Sequence, residues 1–247
     1  SGFYFLFGFG LFATTTMIPQ LLQSLYGYRA IDAGLVLGPG AFVITLLAPA
    51  GAQLVQRGIV HPRILLGISV VTVAASMFFY SGFNLQTNYA HYALARGFQA
   101  LGYAFFFVPL SVIAYSQLQP GQNNRASSLT NFFRNWGGSF GIAFVTAMSE
   151  RRQNFHQTIV GANLTSSSFP LQQAIRTMTD YLREHGYSSF DAAHAATLYY
   201  YTQLEHQTKL LAFMDCFHII GWVTLAAAPL VLLIRHVRAP GKASAAH

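Results

Sequence analysis

The sequence predicts an all-α integral membrane protein: six transmembrane helices, with a helical extracytoplasmic loop between the fifth and the sixth. Three observations predict it. Only 9% of residues are charged, against about 25% in a typical globular domain, while 53% are hydrophobic, which leaves too little charge to coat a water-facing surface. A bilayer core about 30 Å thick needs roughly 20 mainly apolar residues per spanning helix, and windows of that length recur along the chain. Pro19, Pro39, Pro49, Pro109 and Pro229 sit inside those windows, where they would break soluble helices; in a membrane, neighbouring helices re-satisfy the carbonyls they free.

The spans are expected over residues 2–25, 33–55, 64–83, 89–115, 129–148 and 210–235. Polar or turn-forming residues separate them, among them Gly27, Asn84, Asn88 and the run GIVHP at 58–62. The first five spans occupy residues 1–148, and 236–247 form a tail. Basic residues in short loops are retained on the cytoplasmic side. One side carries Arg57, Arg63, Arg125, Arg235, Arg238 and Lys242 with no acid, whereas the short loops of the other carry only Arg29, beside Asp32. Both ends of the chain are therefore expected in the cytoplasm.

Residues 149–209 are too long for that count, and they hold five of the seven acidic residues. After Ser168 and Pro170, the residues Leu171, Ala174, Ile175, Met178 and Leu182 recur at helical spacing until Gly186, which predicts an amphipathic helix. From Ser189 the sequence runs into the last span without a breaker. The last helix is thus expected to project beyond the bilayer.

Charge at membrane depth costs roughly 2.5 to 3.5 kcal/mol on insertion scales, so the few charged residues in the spans are functional candidates. Arg96 lies about two turns inside the fourth span and Arg134 about one turn inside the fifth. An arginine stays protonated, so either can clamp carbonyls, hold an anion or pair with an acid, but cannot itself take up and release a proton. Asp215 is the one acid within a span, with His218 three residues on, and the pair is a candidate proton or charge relay. The Gly137-xxx-Gly141 spacing, with Gly138 between, lets a second helix approach closely. Asp-x-x-His is a two-ligand metal spacing, but no second ligand cluster accompanies it in the spans and no metal or cofactor is implied. The net charge of +7 is scattered among apolar runs and makes no basic stripe for nucleic acid. An intramembrane hydrolase would need nucleophile, base and oxyanion donors together, and Ser111 and Ser139 have no base at a recognisable spacing.

The order and spacing of several segments carry a resemblance: YGYRAIDAGLVLGPG, GAQLVQRGIVHPRILL, ARGFQALGYAFFFVPLSVIAYSQL, NNRASSLTNFFRNWGGSFGIA, SERRQ and AFMDCF. Over essentially its whole length the chain resembles the C-terminal portion of the fourteen-span drug:proton antiporters of the major facilitator superfamily, the EmrB/QacA-type multidrug exporters. The resemblance implies the C-terminal six-helix lobe of a carrier whose N-terminal half lies upstream, which fits a chain that begins at Ser1 directly on a span. It implies alternating access around a central cavity, with Thr14, Thr15, Gln20, Arg96, Gln99, Tyr103 and Phe106 as candidate lining residues. It makes Arg134, Gly137, Gly138 and Gly141 candidates for the helix rearrangement. The segment at 51–63 looks like a second copy of the superfamily's cytoplasmic loop motif, with Gln56 where an acid would precede Arg57, so Arg57 takes a hinge or packing role. The implied partners are the bilayer of a bacterial inner membrane, small lipophilic substrates, protons and a periplasmic adaptor protein. Against export of toxic compounds by proton antiport stand two other readings: a membrane-embedded enzyme, and a non-transporting accessory or sensor lobe.

Overall fold

A computed structural model describes residues 2–115, 122–163 and 168–232, and every regular element among them is a helix. They run α1 (Gly2–Tyr26), α2 (Ala30–Leu35), α3 (Gly38–Gln56), α4 (Pro62–Ser81), α5 (Tyr89–Tyr115), α6 (Asn123–Asn163), α7 (Phe169–Glu184), α8 (Ser189–Ala226) and α9 (Ala228–Leu232). The tail at 236–247, with Arg238 and Lys242, and Arg235 before it, lie outside the described residues.

Local chemistry sets the ends. Gly27, Gly58 and Gly186 take φ of 67°, 69° and 93° just past α1, α3 and α7, the left-handed conformation that stops a helix at least cost. Pro62 opens α4 and Pro170 opens α7, where a missing N–H costs nothing. Ser188 caps α8: its Oγ accepts from the Asp191 backbone N–H at 3.1 Å and donates to Asp191 Oδ2 at 2.7 Å.

Two expected spans are interrupted. The second divides at Val36 and Leu37 into α2 and α3, and the last divides at Ala227 into α8 and α9. The cause is alike in both, since Pro39 and Pro229 cannot donate to the carbonyls of Leu35 and Leu225, four residues earlier. Pro19, Pro49 and Pro109 stay inside α1, α3 and α5.

Five stretches among the described residues are long and apolar enough to cross a membrane: Gly2–Tyr26, Ala30–Gln56, Pro62–Ser81, Tyr89–Ala114 and Ser189–Val231. The helix that carries the expected fifth span, α6, is not among them. It is 41 residues long, about 60 Å at 1.5 Å per residue, and continues fifteen residues past the expected end at 148. The described residues within 149–209 are accordingly helical nearly throughout, made of the end of α6, all of α7 and the first half of α8.

Helix α6 packs along α1, while α4 and α3 flank α5 and α8 lies against α4 and α6. Glycines make the α1–α6 contact a backbone contact. A methyl on Gly141 would stand 2.5 Å from the Phe9 carbonyl oxygen, and methyls on Gly137 and Gly8 would collide with the Phe5 and Arg134 carbonyls. The core between the other helices is aromatic and aliphatic, with Tyr80 of α4 stacked on Phe217 of α8 at 4.7 Å and Met17, Ile18, Leu21 and Leu66 fully buried elsewhere along its length. Helix α7 lays Leu171, Ile175, Met178 and Leu182 toward α8 and leaves Arg176, Asp180 and Arg183 outward.

Candidate functional site

The most demanding group in the interior is Arg96, on α5 and only 6% exposed. Its NH1 donates to Gln99 Oε1 at 2.6 Å and to Thr14 Oγ1 at 3.2 Å, and its NH2 donates to Thr15 Oγ1 at 3.0 Å. Gln99 Nε2 donates to the same Thr14 oxygen at 3.1 Å, and Thr14 Oγ1 donates to the Gly10 carbonyl at 2.8 Å. A hydroxyl offers one donor and two acceptor positions, so Thr14 is used to capacity. Arg96 and Gln99 meet because they are three residues apart on one helix; they reach α1 because Thr14 and Thr15 present both hydroxyls toward α5.

No carboxylate pairs with Arg96 among the described residues. Among those residues its charge is compensated only by dipoles, and its Nε has no acceptor. The buried hydroxyls of Tyr103 and Tyr80 likewise have no hydrogen-bond partner among them. Three polar groups left this way are costly, at about 1 to 3 kcal/mol each. Helix α3 closes the other side of the arginine through Gly40, where a methyl would stand 2.9 Å from Arg96 Cγ and 3.1 Å from Nε.

Tyr103 and Phe106 are 2% exposed and meet Phe7 of α1, Tyr103 edge-on and Phe106 stacked, both at 5.4 Å. Gly10 stands where a methyl would be 2.7 Å from the Tyr103 hydroxyl. Of the expected lining residues, Thr14, Thr15, Arg96 and Gln99 form one hydrogen-bonded cluster, and Tyr103 and Phe106 continue it along α5. Gln20 is exposed and takes no part in it. Arg57 is an exposed residue at the end of α3. Sequence reading missed Phe7, Gly10, Gly40 and Tyr80; a glycine bears no side chain to read, and its role here is the space that it leaves.

The expected pairing of Asp215 with His218 is not what the structure shows. Asp215 Oδ2 accepts from Arg152 Nε and NH2, each at 2.6 Å, and lies 2.7 Å from His156 Nε2, all from α8 to α6. His218 is exposed, accepts from Trp222 Nε1 at 3.0 Å and meets the Phe78 ring edge-on. Three residues fall about 60° short of a full helical turn, and α6 on one side and α4 on the other draw the two side chains apart. Arg152 also covers the Phe155 ring at 4.8 Å. The signal for this clamp was present as Arg152 and His156 at i,i+4, in a segment expected to have left the fifth span.

The Major Facilitator Superfamily profile matches residues 2–142. Among curated proteins, the chain is 26% identical over 233 residues to the uncharacterized MFS-type transporter YhcA of Bacillus subtilis, covering 92% of this chain and 43% of that protein. It is 30% identical over 184 residues to the multidrug export protein EmrB of Escherichia coli, covering 74% and 35% respectively. It is 29% identical over 160 residues to the fatty acid resistance protein FarB of Neisseria gonorrhoeae, covering 65% and 31%. The chain spans less than half the length of these relatives. The family and the apolar helices point to a multi-pass membrane transporter, and the chain belongs to the Major Facilitator Superfamily.

Proposed function

We propose that the chain is the C-terminal lobe of a secondary transporter that exports lipophilic toxic compounds from a bacterial cell by proton antiport through alternating access. The observation that carries this reading is Arg96, a guanidinium buried on α5 without an acid and bound to two hydroxyls of α1. The network of Arg96, Gln99, Thr14 and Thr15, continued by Tyr103 and Phe106, supplies a polar point in an otherwise apolar wall, the composition expected of a permissive ligand site. The name of one relative, the fatty acid resistance protein FarB, favours lipophilic cargo. The N-terminal half of the carrier supplies the opposing lobe. Arg152 and Asp215 tie the later part of α6 to the interior of α8, while Gly137, Gly138 and Gly141 let α6 slide closely against α1. The region at 149–209 lies outside the membrane, where a periplasmic adaptor can reach it.

The test is dye efflux by the full-length transporter in energised vesicles. Export should collapse when the proton gradient is dissipated, and Arg96→Ala should lower it about tenfold, equivalent to about 1.4 kcal/mol at the rate-determining step. Efflux that persists without a gradient would overturn proton antiport, and an unaffected Arg96→Ala would remove the cluster from the transport path.

A further inference from the structure

The Arg96 cluster is short of acceptors, and above all of negative charge. Arg96 Nε and the hydroxyls of Tyr80 and Tyr103 have no hydrogen-bond partner among the described residues, although the three side chains are buried. Each of these atoms has a hydrogen to donate, and Nε can do nothing else. The acceptors that the guanidinium does reach, on Thr14, Thr15 and Gln99, are all neutral. Tyr103 lies two turns along α5 from Arg96, and Tyr80 of α4 is within electrostatic reach of the same guanidinium. What would complete the cluster is therefore an anion that accepts hydrogen bonds.

The same helix face runs on into apolar surface. Arg96, Gln99, Tyr103, Phe106 and Phe107 fall at i, i+3, i+7, i+10 and i+11 of α5, about 16 Å along the helix at 1.5 Å per residue. At the far end the Phe7 ring of α1 lies 5.4 Å from Phe106 and 6.1 Å from Phe107, and Phe107 is itself exposed. A ligand with an oxyanion at one end and a flat apolar body at the other matches that order. Entry requires α3 to move, because Gly40 stands over the guanidinium, where a methyl would be 3.1 Å from Nε. The sequence supplies the pivot: α2 and α3 part at Val36 and Leu37, Pro39 leaves the Leu35 carbonyl without its donor, and Gly34, Gly38 and Gly40 surround the break. Closed, α3 holds a dry N–H against a glycine; open, Nε gains a partner.

We infer that Arg96, with Tyr103 and Tyr80, binds the oxyanion of a lipophilic organic acid, admitted when the first turn of α3 pivots at the α2–α3 break, with the apolar body of the acid along Phe7, Phe106 and Phe107. The inference rests on the proposed reading of this cluster as the ligand site of an exporter, and it names the class of cargo.

The experiment uses the full-length transporter and two probes of one shape, 1-pyrenebutyrate and 1-pyrenebutanol, of which only the first is ionised at neutral pH. In detergent the acid raises the thermal midpoint and the alcohol does not, and Arg96→Gln abolishes that difference. In energised inside-out vesicles kcat/KM for the acid exceeds that for the alcohol, and Arg96→Gln lowers this ratio about tenfold, the effect of losing one charge-assisted contact. Tyr103→Phe lowers the ratio about threefold through a higher KM for the acid, the effect of losing one neutral hydrogen bond. Its ligand-free thermal midpoint stays at or above that of the wild type, since it removes a hydroxyl unpartnered among the described residues. That variant keeps the inference testable should Arg96→Gln fail to fold. Pro39→Ala, which restores the missing donor, lowers kcat for the acid; an unchanged kcat overturns the pivot. A ratio unchanged in Arg96→Gln and Tyr103→Phe overturns the inference, as does equal stabilisation by acetate, which has no apolar body. Gradient-driven export with no preference for the acid also overturns it and leaves the proposed function standing. Stabilisation by the acid without gradient-driven export counts against the proposed function and leaves the anion site standing.

Discussion

A charged side chain at membrane depth is tolerated only where its surroundings replace water, and Arg96 shows how narrowly that is met. Four of its five N–H positions belong to NH1 and NH2, which reach three acceptors, while Nε reaches none and instead faces Gly40. Gly40→Ala should therefore shift the guanidinium and lower efflux in the same direction as Arg96→Ala. Gly34→Ala, at a position with nothing within 4 Å, should leave efflux unchanged. Thr14→Val removes the acceptor of two buried donors and should cost about 1 to 3 kcal/mol in thermal or denaturant unfolding of the full-length protein. Arg96, Thr14, Thr15 and Gln99 were legible as candidates because polar residues are rare in apolar windows. Gly40 and Gly10 were not, because what they contribute is a distance between two helices.

Among the helices, the described pairings follow from small residues on one side and caps at the ends. The α1–α6 contact is made by backbone against backbone at Gly8, Gly137 and Gly141, so Gly137→Leu should separate the two helices and abolish folded, membrane-inserted protein, as judged by size-exclusion chromatography in detergent. The start of α8 hangs on one hydroxyl: Ser188→Ala should cost about 1 kcal/mol, seen as faster proteolysis between α7 and α8 while the membrane helices stay protected. Helix α7 was readable from its apolar period, and the stops at Gly27, Gly58 and Gly186 from their residue type. The length of α6 was not. The apolar signal of the expected fifth span fades after Met148, yet backbone hydrogen bonding continues to Asn163, because α8 offers the extension a partner and Asp215 an anchor for Arg152.

For the whole molecule, the proposed orientation, with both ends in the cytoplasm, rests on the basic residues of the short loops. Single cysteines in a Cys216→Ser background test it: Tyr187→Cys should react with a membrane-impermeant maleimide added to intact cells, and Ile59→Cys only after permeabilisation, both positions being exposed. The reverse pattern would invert the topology. Composition and window length by themselves determined that the chain is helical and built for a membrane, since an apolar run of bilayer length has few other ways to satisfy its backbone. They also singled out Arg96, Arg134 and Asp215, since charge is conspicuous against an apolar background. Only the tertiary structure decided whom those charges meet: Arg96 two hydroxyls of α1, Asp215 an arginine and a histidine of α6, and Arg134 a cavity in place of a partner residue. Spacing along one helix predicts neighbours on that helix, whereas a charge in a bundle is settled by whichever helix packs across from it.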